Sequence, residues 1–195
     1  YLLVYQVRAL INKKMINLKL IPIIIFTKIL LSSPITDKSL STIKQTFPNN
    51  IIIKHNVYQI DKKTLKEIQN TVRQKFFRKE VNCWHIINDD STHYYAILDN
   101  VKGKSLPITF LTIFDENNKV FDSSIIKYRE AYGGEIASKS WLNQFLSYSD
   151  SSNYNVGDAI SGISGATISV NSVTKGINKL SILIDYIIKD FNDEL

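Results

Sequence analysis

In the second half of the chain, apolar residues fall into runs whose period shifts from about two to about four. "HYYAILDNV" (His93–Val101) and "LPITFLTIF" (Leu106–Phe114) are dense in β-branched and aromatic residues and are separated only by "KGKS". "DENNK" then turns the chain into "VFDSSIIKYRE". Links this short predict an antiparallel meander, because a parallel crossover needs about a dozen residues or more. "IIIKHNVYQI" (Ile51–Ile60) reads as an earlier strand. Thr64-x-x-Glu67 has the form of a capping box, and Leu65, Ile68, Val72 and Phe76 recur at helical spacing, which predicts a helix from Thr64 to near Glu80. "GGEIASKSWLNQFLS" predicts a further helix with Ile136, Leu142, Phe145 and Leu146 on its apolar side. Val170, Val173, Ile177, Leu180, Ile184 and Ile188 lie on one stripe of a long final helix. "SSPITDKSLSTIKQTFPNN", with Pro34, Pro48 and paired Asn as breakers, reads as linker and turn. The predicted fold class is α+β, an antiparallel sheet covered by helices, ending in a long C-terminal helix.

The first fifty residues read differently. Lys13 and Lys14 precede an apolar stretch, Leu18–Leu31, interrupted by Lys19 and Lys28. A basic lead, a short apolar run and a small polar exit resemble a secretory signal or tether. The run falls short of the roughly 20 apolar residues of a spanning helix. Export or membrane association, on the extracytoplasmic side, is the expectation; an amphipathic or buried helix is the alternative.

Composition narrows the function classes. Across 195 residues, 24 Lys and Arg against 18 Asp and Glu give a formal charge of +6. These cations are spread along the chain, and neither zinc-finger spacing nor an RNA-binding aromatic signature accompanies them, so no nucleic-acid partner is expected. A single cysteine, Cys83, excludes an internal disulfide, a CxxC pair and a CxxCH haem site, and should pack as a small apolar residue.

One stretch departs from the Ile-, Lys- and Asn-rich background. "DAISGISGATIS", Asp158–Ser169, is small and hydroxylated and leads directly into the last helical pattern. Unpaired amides at a helix start attract anions, and glycine lets a phosphate approach the backbone. Ser161, Ser164, Thr167 and Ser169 add hydroxyls, although hydroxyls there also suit a plain helix cap. "GDAISGIS" has Ile163 where a P-loop needs its lysine. Gly162-Ile163-Ser164-Gly165-Ala166 lacks the closing glycine of a nucleophile elbow, so a serine hydrolase is only a weak alternative.

The string "SGAT", Ser164–Thr167, followed by "IS" and a helix, resembles the flavinylation motif of the FMN-binding domain family. That family includes FMN-carrying subunits of Rnf and sodium-pumping NADH:quinone oxidoreductase complexes. The resemblance extends upstream through "GKSLPI", "NKV", "REAYGGEI" and "QF", so that it covers roughly Thr92 to Ile188. It implies FMN as cofactor, joined by a phosphoester to the Thr167 hydroxyl by a flavin transferase. Ser164, Gly165 and Ala166 would form the attachment loop with Ser169 and Asp158 alongside, and Arg129, Glu130 and Gly134 would lie near the flavin. The family's aspartate stands six residues before the acceptor threonine, whereas Asp158 stands nine before Thr167, at the family's distance from Ser164 instead.

The resulting division is a signal-like or tethering segment at 1–33, a linker and first strand at 34–60, and an FMN-binding domain at 61–195 with its core at 92–190. The expected role is electron transfer between redox partner proteins or membrane electron-transfer components, with no catalytic residues and no metal ligands of its own. A flavin-dependent reductase and a non-flavin ligand-binding or adhesion module remain the alternatives. Trp84 and Trp141 read as core aromatics, "NDDSTH" with Asp89 and Asp90 as a polar turn, and His85 and His93 as a pair without a clear third metal ligand.

Overall fold

The structure is a computed structural model that describes residues 33–193. The signal-like segment therefore lies outside the described residues. Five strands form one antiparallel sheet in chain order: β1 (Ile51–Gln59), β2 (Glu80–Asn88), β3 (His93–Lys102), β4 (Pro107–Asp115) and β5 (Val120–Lys127). The predicted meander is present, enlarged by β2, which pairs with β1 on one side and β3 on the other.

Helices cover both faces. On one face, α1 (Pro34–Thr46) packs Ile43 against a cluster containing Trp84, Ile86, Leu98, Leu111 and Ile113. The residues read as linker are this helix. Pro34, a breaker in mid-helix, here occupies the first turn, where its missing N–H costs nothing, and Ser33 caps the helix by accepting from the Thr36 amide at 3.2 Å. Lys38 Nζ ties the helix to β5 through the Ile126 carbonyl at 2.6 Å.

On the opposite face lie α2 (Lys62–Val72) and α4 (Thr167–Asp193). Asp61, not Thr64, caps α2: its carboxylate accepts from the Lys63 and Thr64 amides at 2.9 and 3.1 Å. That helix ends at Arg73, in the left-handed region at φ 54°, well short of Glu80. The residues beyond form β2, where Val81 and Cys83 join the α4-side core and Trp84 the α1-side core.

The long helix α4 buries Val170, Val173, Ile177, Leu180 and Ile184 completely, as the stripe predicts. Gly176 sets how closely it approaches the sheet, since a Cβ there would lie 2.7 Å from Val101 Cγ1 and 2.8 Å from Phe110 Cζ. A buried ion pair crosses the same interface, Lys179 Nζ to Asp99 Oδ2 at 2.7 Å, with the ammonium also over the Phe76 ring. Opposite charges removed from water together are tolerated where either alone would be costly.

Between β5 and α4, the predicted single helix is three short pieces: a 3₁₀ turn at Gly134–Ala137, α3 (Lys139–Leu142) and a 3₁₀ turn at Asn143–Phe145. The Ser138 hydroxyl starts α3 by accepting from the Trp141 amide, and Ser147 leaves the segment at φ 64°. Ile136, Leu142 and Phe145 are buried as expected, but Leu146 is exposed because the break turns it outward. Among the described residues, no helix is long and apolar enough to cross a membrane.

Candidate functional site

The start of α4 is built by turns. Ala166 N–H donates to the Ile163 carbonyl at 3.1 Å, closing a turn around Ser164 and Gly165, and Gly165 takes φ 75°, which a side chain would resist. The Ala166 carbonyl then accepts the first helical bond, from Val170 N–H at 2.9 Å. Ala166 thus occupies the capping position, where it offers no side-chain acceptor to the first-turn amides. Thr167, the exposed first residue of the helix, follows directly.

Two further segments meet this helix start. Gly103–Leu106, between β3 and β4, forms a tight turn with Gly103 N–H donating to the Leu106 carbonyl at 3.0 Å. Glu130 Oε1 accepts from the amides of Ser105 and Leu106 at 2.8 and 3.0 Å, and these bonds hold its carboxyl below the usual carboxylate range. A Cβ at Gly103 would collide with that carboxylate at 2.3 Å, so the glycine and Glu130 fit one another. The other segment is the loop after β5. Gly133, at φ 79°, packs so closely on Ala166 that a Cβ there would lie 2.4 Å from the Ala166 methyl. Tyr128 spans the gap, donating to the Tyr132 carbonyl at 2.5 Å and lying 3.3 Å from the Ser169 hydroxyl.

These pieces enclose a cleft of about 380 Å³. The helix contributes Gly165 to Ser169, the β3–β4 turn contributes Lys104 and Ser105, and the loop after β5 contributes Glu130 to Tyr132. Its positive influences are the helix start and the Lys104 ammonium; its carboxylate is already engaged by two backbone amides. The Tyr132 ring is largely exposed at the edge. A phosphate suits the helix start and Lys104, and a flat ring suits the tyrosine.

Of the residues expected from the sequence, Thr167, Gly165, Ala166, Ser169 and Glu130 line this cleft. Ser164 lies outside the lining, at the exposed corner of the turn. Asp158 is also outside, in the turn after Asn155, where its carboxylate accepts from Asn153 Nδ2 at 2.9 Å. Arg129 points back along the sheet to the Pro107 carbonyl at 3.2 Å. Gly134 has open space around it, and its neighbour Gly133 makes the close approach. Lys104, Tyr128, Tyr132 and Gly133 join the site only through the folded contacts between these segments. Trp141 is buried against Phe145, and its indole N–H donates to the Ser161 carbonyl at 2.8 Å. Gln144 accepts from the Ser161 amide at 2.8 Å, so the lead into the turn is pinned at both groups of one residue.

A comparison with protein-family profiles matches residues 103–181 to the FMN-binding domain. The chain carries an FMN-binding domain. FMN is its cofactor, and the matched span runs from the Gly103 turn through the Glu130 and Gly133 loop into α4, covering every wall of the cleft. No curated protein and no solved structure matches the chain.

The remaining chemistry-bearing residues have structural surroundings. His85 is buried and stacked on Tyr95, within 2.9 Å of the His93 ring nitrogen, and burial pushes its pKa down to about 4. Asp90 accepts from the Thr92 amide at 2.9 Å in the β2–β3 turn. Cys83 is buried in the sheet core. No group of three or more His, Cys, Asp or Glu able to hold a metal occurs among the described residues.

Proposed function

We propose that the protein is an electron-transfer flavoprotein whose FMN is esterified through its phosphate to Thr167 Oγ1. The observation that carries this reading is the position of Thr167, exposed at the first turn of α4 and inside the cleft, while Ser164 stands outside it. FMN, when bound, supplies reversible electron uptake and release. The chain's own residues bind and orient. Lys104 and the uncapped amides of α4 balance the phosphate charge, the Gly165 turn presents the threonine, and Glu130 fixes the Ser105 wall. Glu130 is a poor base for the Thr167 hydroxyl because two amides stabilise its ionised form. A flavin transferase supplying that base accounts for attachment. The lysine-led apolar run at 18–31 favours export or tethering outside the cytoplasm, where an ester tether retains the cofactor.

Co-expression with a flavin transferase tests the assignment. Thr167→Ala should abolish flavin fluorescence that survives denaturation, while Ser164→Ala should keep it at reduced yield. An undiminished adduct in Thr167→Ala would overturn the reading.

A further inference from the structure

Beside the flavin cleft runs a second depression of about 520 Å³ along the end of α2 and the second turn of α4. Its cations are Arg73, Lys75, Lys102 and Lys175, and it continues into an adjoining groove that shares Arg73 and Lys75 and adds Lys62 and Lys66. No carboxylate lines either groove. None of the six cations forms a salt bridge among the described residues, whereas Arg78, Lys139 and Lys179 do. Six cations, four of them from Lys62 to Lys75, thus share one surface with no salt bridge among the described residues.

The groove and the cleft adjoin. Lys102 lies on one side of the Gly103 turn and Lys104, in the cleft, on the other. On α4, Asn171 lines the groove and donates to the Thr167 carbonyl at 2.9 Å. Gln74 holds the two helices together through the Ser172 carbonyl at 2.9 Å. A molecule seated on the cations would therefore lie within about one helical turn of the flavin attachment residue.

We infer that this groove docks the acidic surface of a protein that exchanges electrons with the flavin, an inference that rests on the electron-transfer reading above. From Lys62 to Arg73, α2 alone carries the charge over about 16 Å, more than one phosphate group can engage. Lysine ammoniums supply point charges on flexible stems, which suit scattered carboxylates better than one planar anion. Phe76 and half-exposed Phe77 place an apolar centre among the cations. An apolar centre with a charged rim is the composition of a protein interface, and complementary rim charge chiefly speeds encounter.

The test uses the FMN-loaded full chain and poly-L-glutamate as the probe. Its affinity should fall steeply with added salt and drop about tenfold or more in Lys102→Glu/Lys175→Glu, as expected for removal of complementary charge. Lys44→Glu/Lys127→Glu, the same charge change at exposed positions elsewhere, should leave affinity within about twofold. Hydrogen-exchange protection by polyglutamate on the native protein should centre on residues 73–77 and 171–175, a readout independent of variant folding. Equal loss in both double variants, or protection elsewhere, would overturn the assignment. Tighter groove-dependent binding to phosphatidylglycerol vesicles than to polyglutamate would replace the protein partner with a membrane and also overturn it. Flavin absorbance in the same samples reads the cofactor separately. A colourless protein refutes the electron-transfer reading, while a flavin-bearing protein indifferent to the groove substitutions refutes only the docking site.

Discussion

The middle of α4 and its first turn belong to one helix but are specified by different means. Between Val173 and Ile187 the helix is held by apolar side chains inserted against the sheet, with Gly176 admitting Val101 and Phe110. At Thr167 the helix is held by backbone: the Gly165 turn, Gly133 against Ala166 and the amides bound by Glu130. The first region tolerates exchange of one hydrophobe for another of similar size, since burial is non-directional. The second depends on backbone geometry: Gly165 holds a φ of 75° that a side chain would resist, and a Cβ at Gly133 would lie 2.4 Å from the Ala166 methyl. Stability therefore resides in the middle of the helix, and the proposed flavin site lies at its start.

The largest effect that would break this division is in the core. Leu180→Ala should cost about 2–5 kcal/mol in chemical denaturation, while the folded fraction keeps its flavin. Flavin loss at full folding would show that the two regions are not separable.

Acid should also strike the core before the cleft. His85 has a folded pKa of about 4 against 6.5 for the free side chain, so the unfolded chain takes up the proton first as pH falls. Its contribution is intact above pH 6.5 and erodes towards pH 4, by an upper bound of about 3 kcal/mol. Denaturation midpoints measured across this window should slope downwards, and His85→Phe should flatten the slope. A slope unchanged by that substitution would remove His85 as its origin.

Neighbouring glycines give a sharper contrast at the cleft. Gly133→Ala forces a side chain at positive φ against Ala166 and should cost about 1–3 kcal/mol together with most flavin retention. Gly134→Ala meets open space and should leave flavin retention unchanged, as read by absorbance after gel filtration. Equal behaviour of the two variants would contradict the close packing of Gly133 on Ala166. Glu130→Gln should have the smallest effect on stability, yet loosen the Ser105 turn and speed release of non-covalent FMN in stopped-flow fluorescence.

The contrast also explains what was legible in the sequence. The strands β3 to β5 and the stripe of α4 were readable because a buried face imposes its period on the side chains. The helix α1 was missed because Pro34 and Pro48 look alike as letters, although one starts a helix behind Ser33 and the other follows its end. The strand β2 was missed because helical spacing was carried through Phe76, past the left-handed Arg73 that stops α2. The place of Thr167 at a helix start was legible from the small residues before it and the apolar stripe after it. The choice between Gly133 and Gly134, and the parts played by Lys104, Tyr128 and Tyr132, depend on contacts between distant segments that local periodicity does not encode.

The central claim is that the cofactor sits at the first turn of α4 on one hydroxyl. Peptide mass spectrometry of protein matured with a flavin transferase tests it most directly. The account predicts an FMN adduct on the peptide containing Thr167, with fragment ions placing the added mass on that residue. An adduct on Ser164, or none on a protein that retains FMN through denaturation, would contradict it.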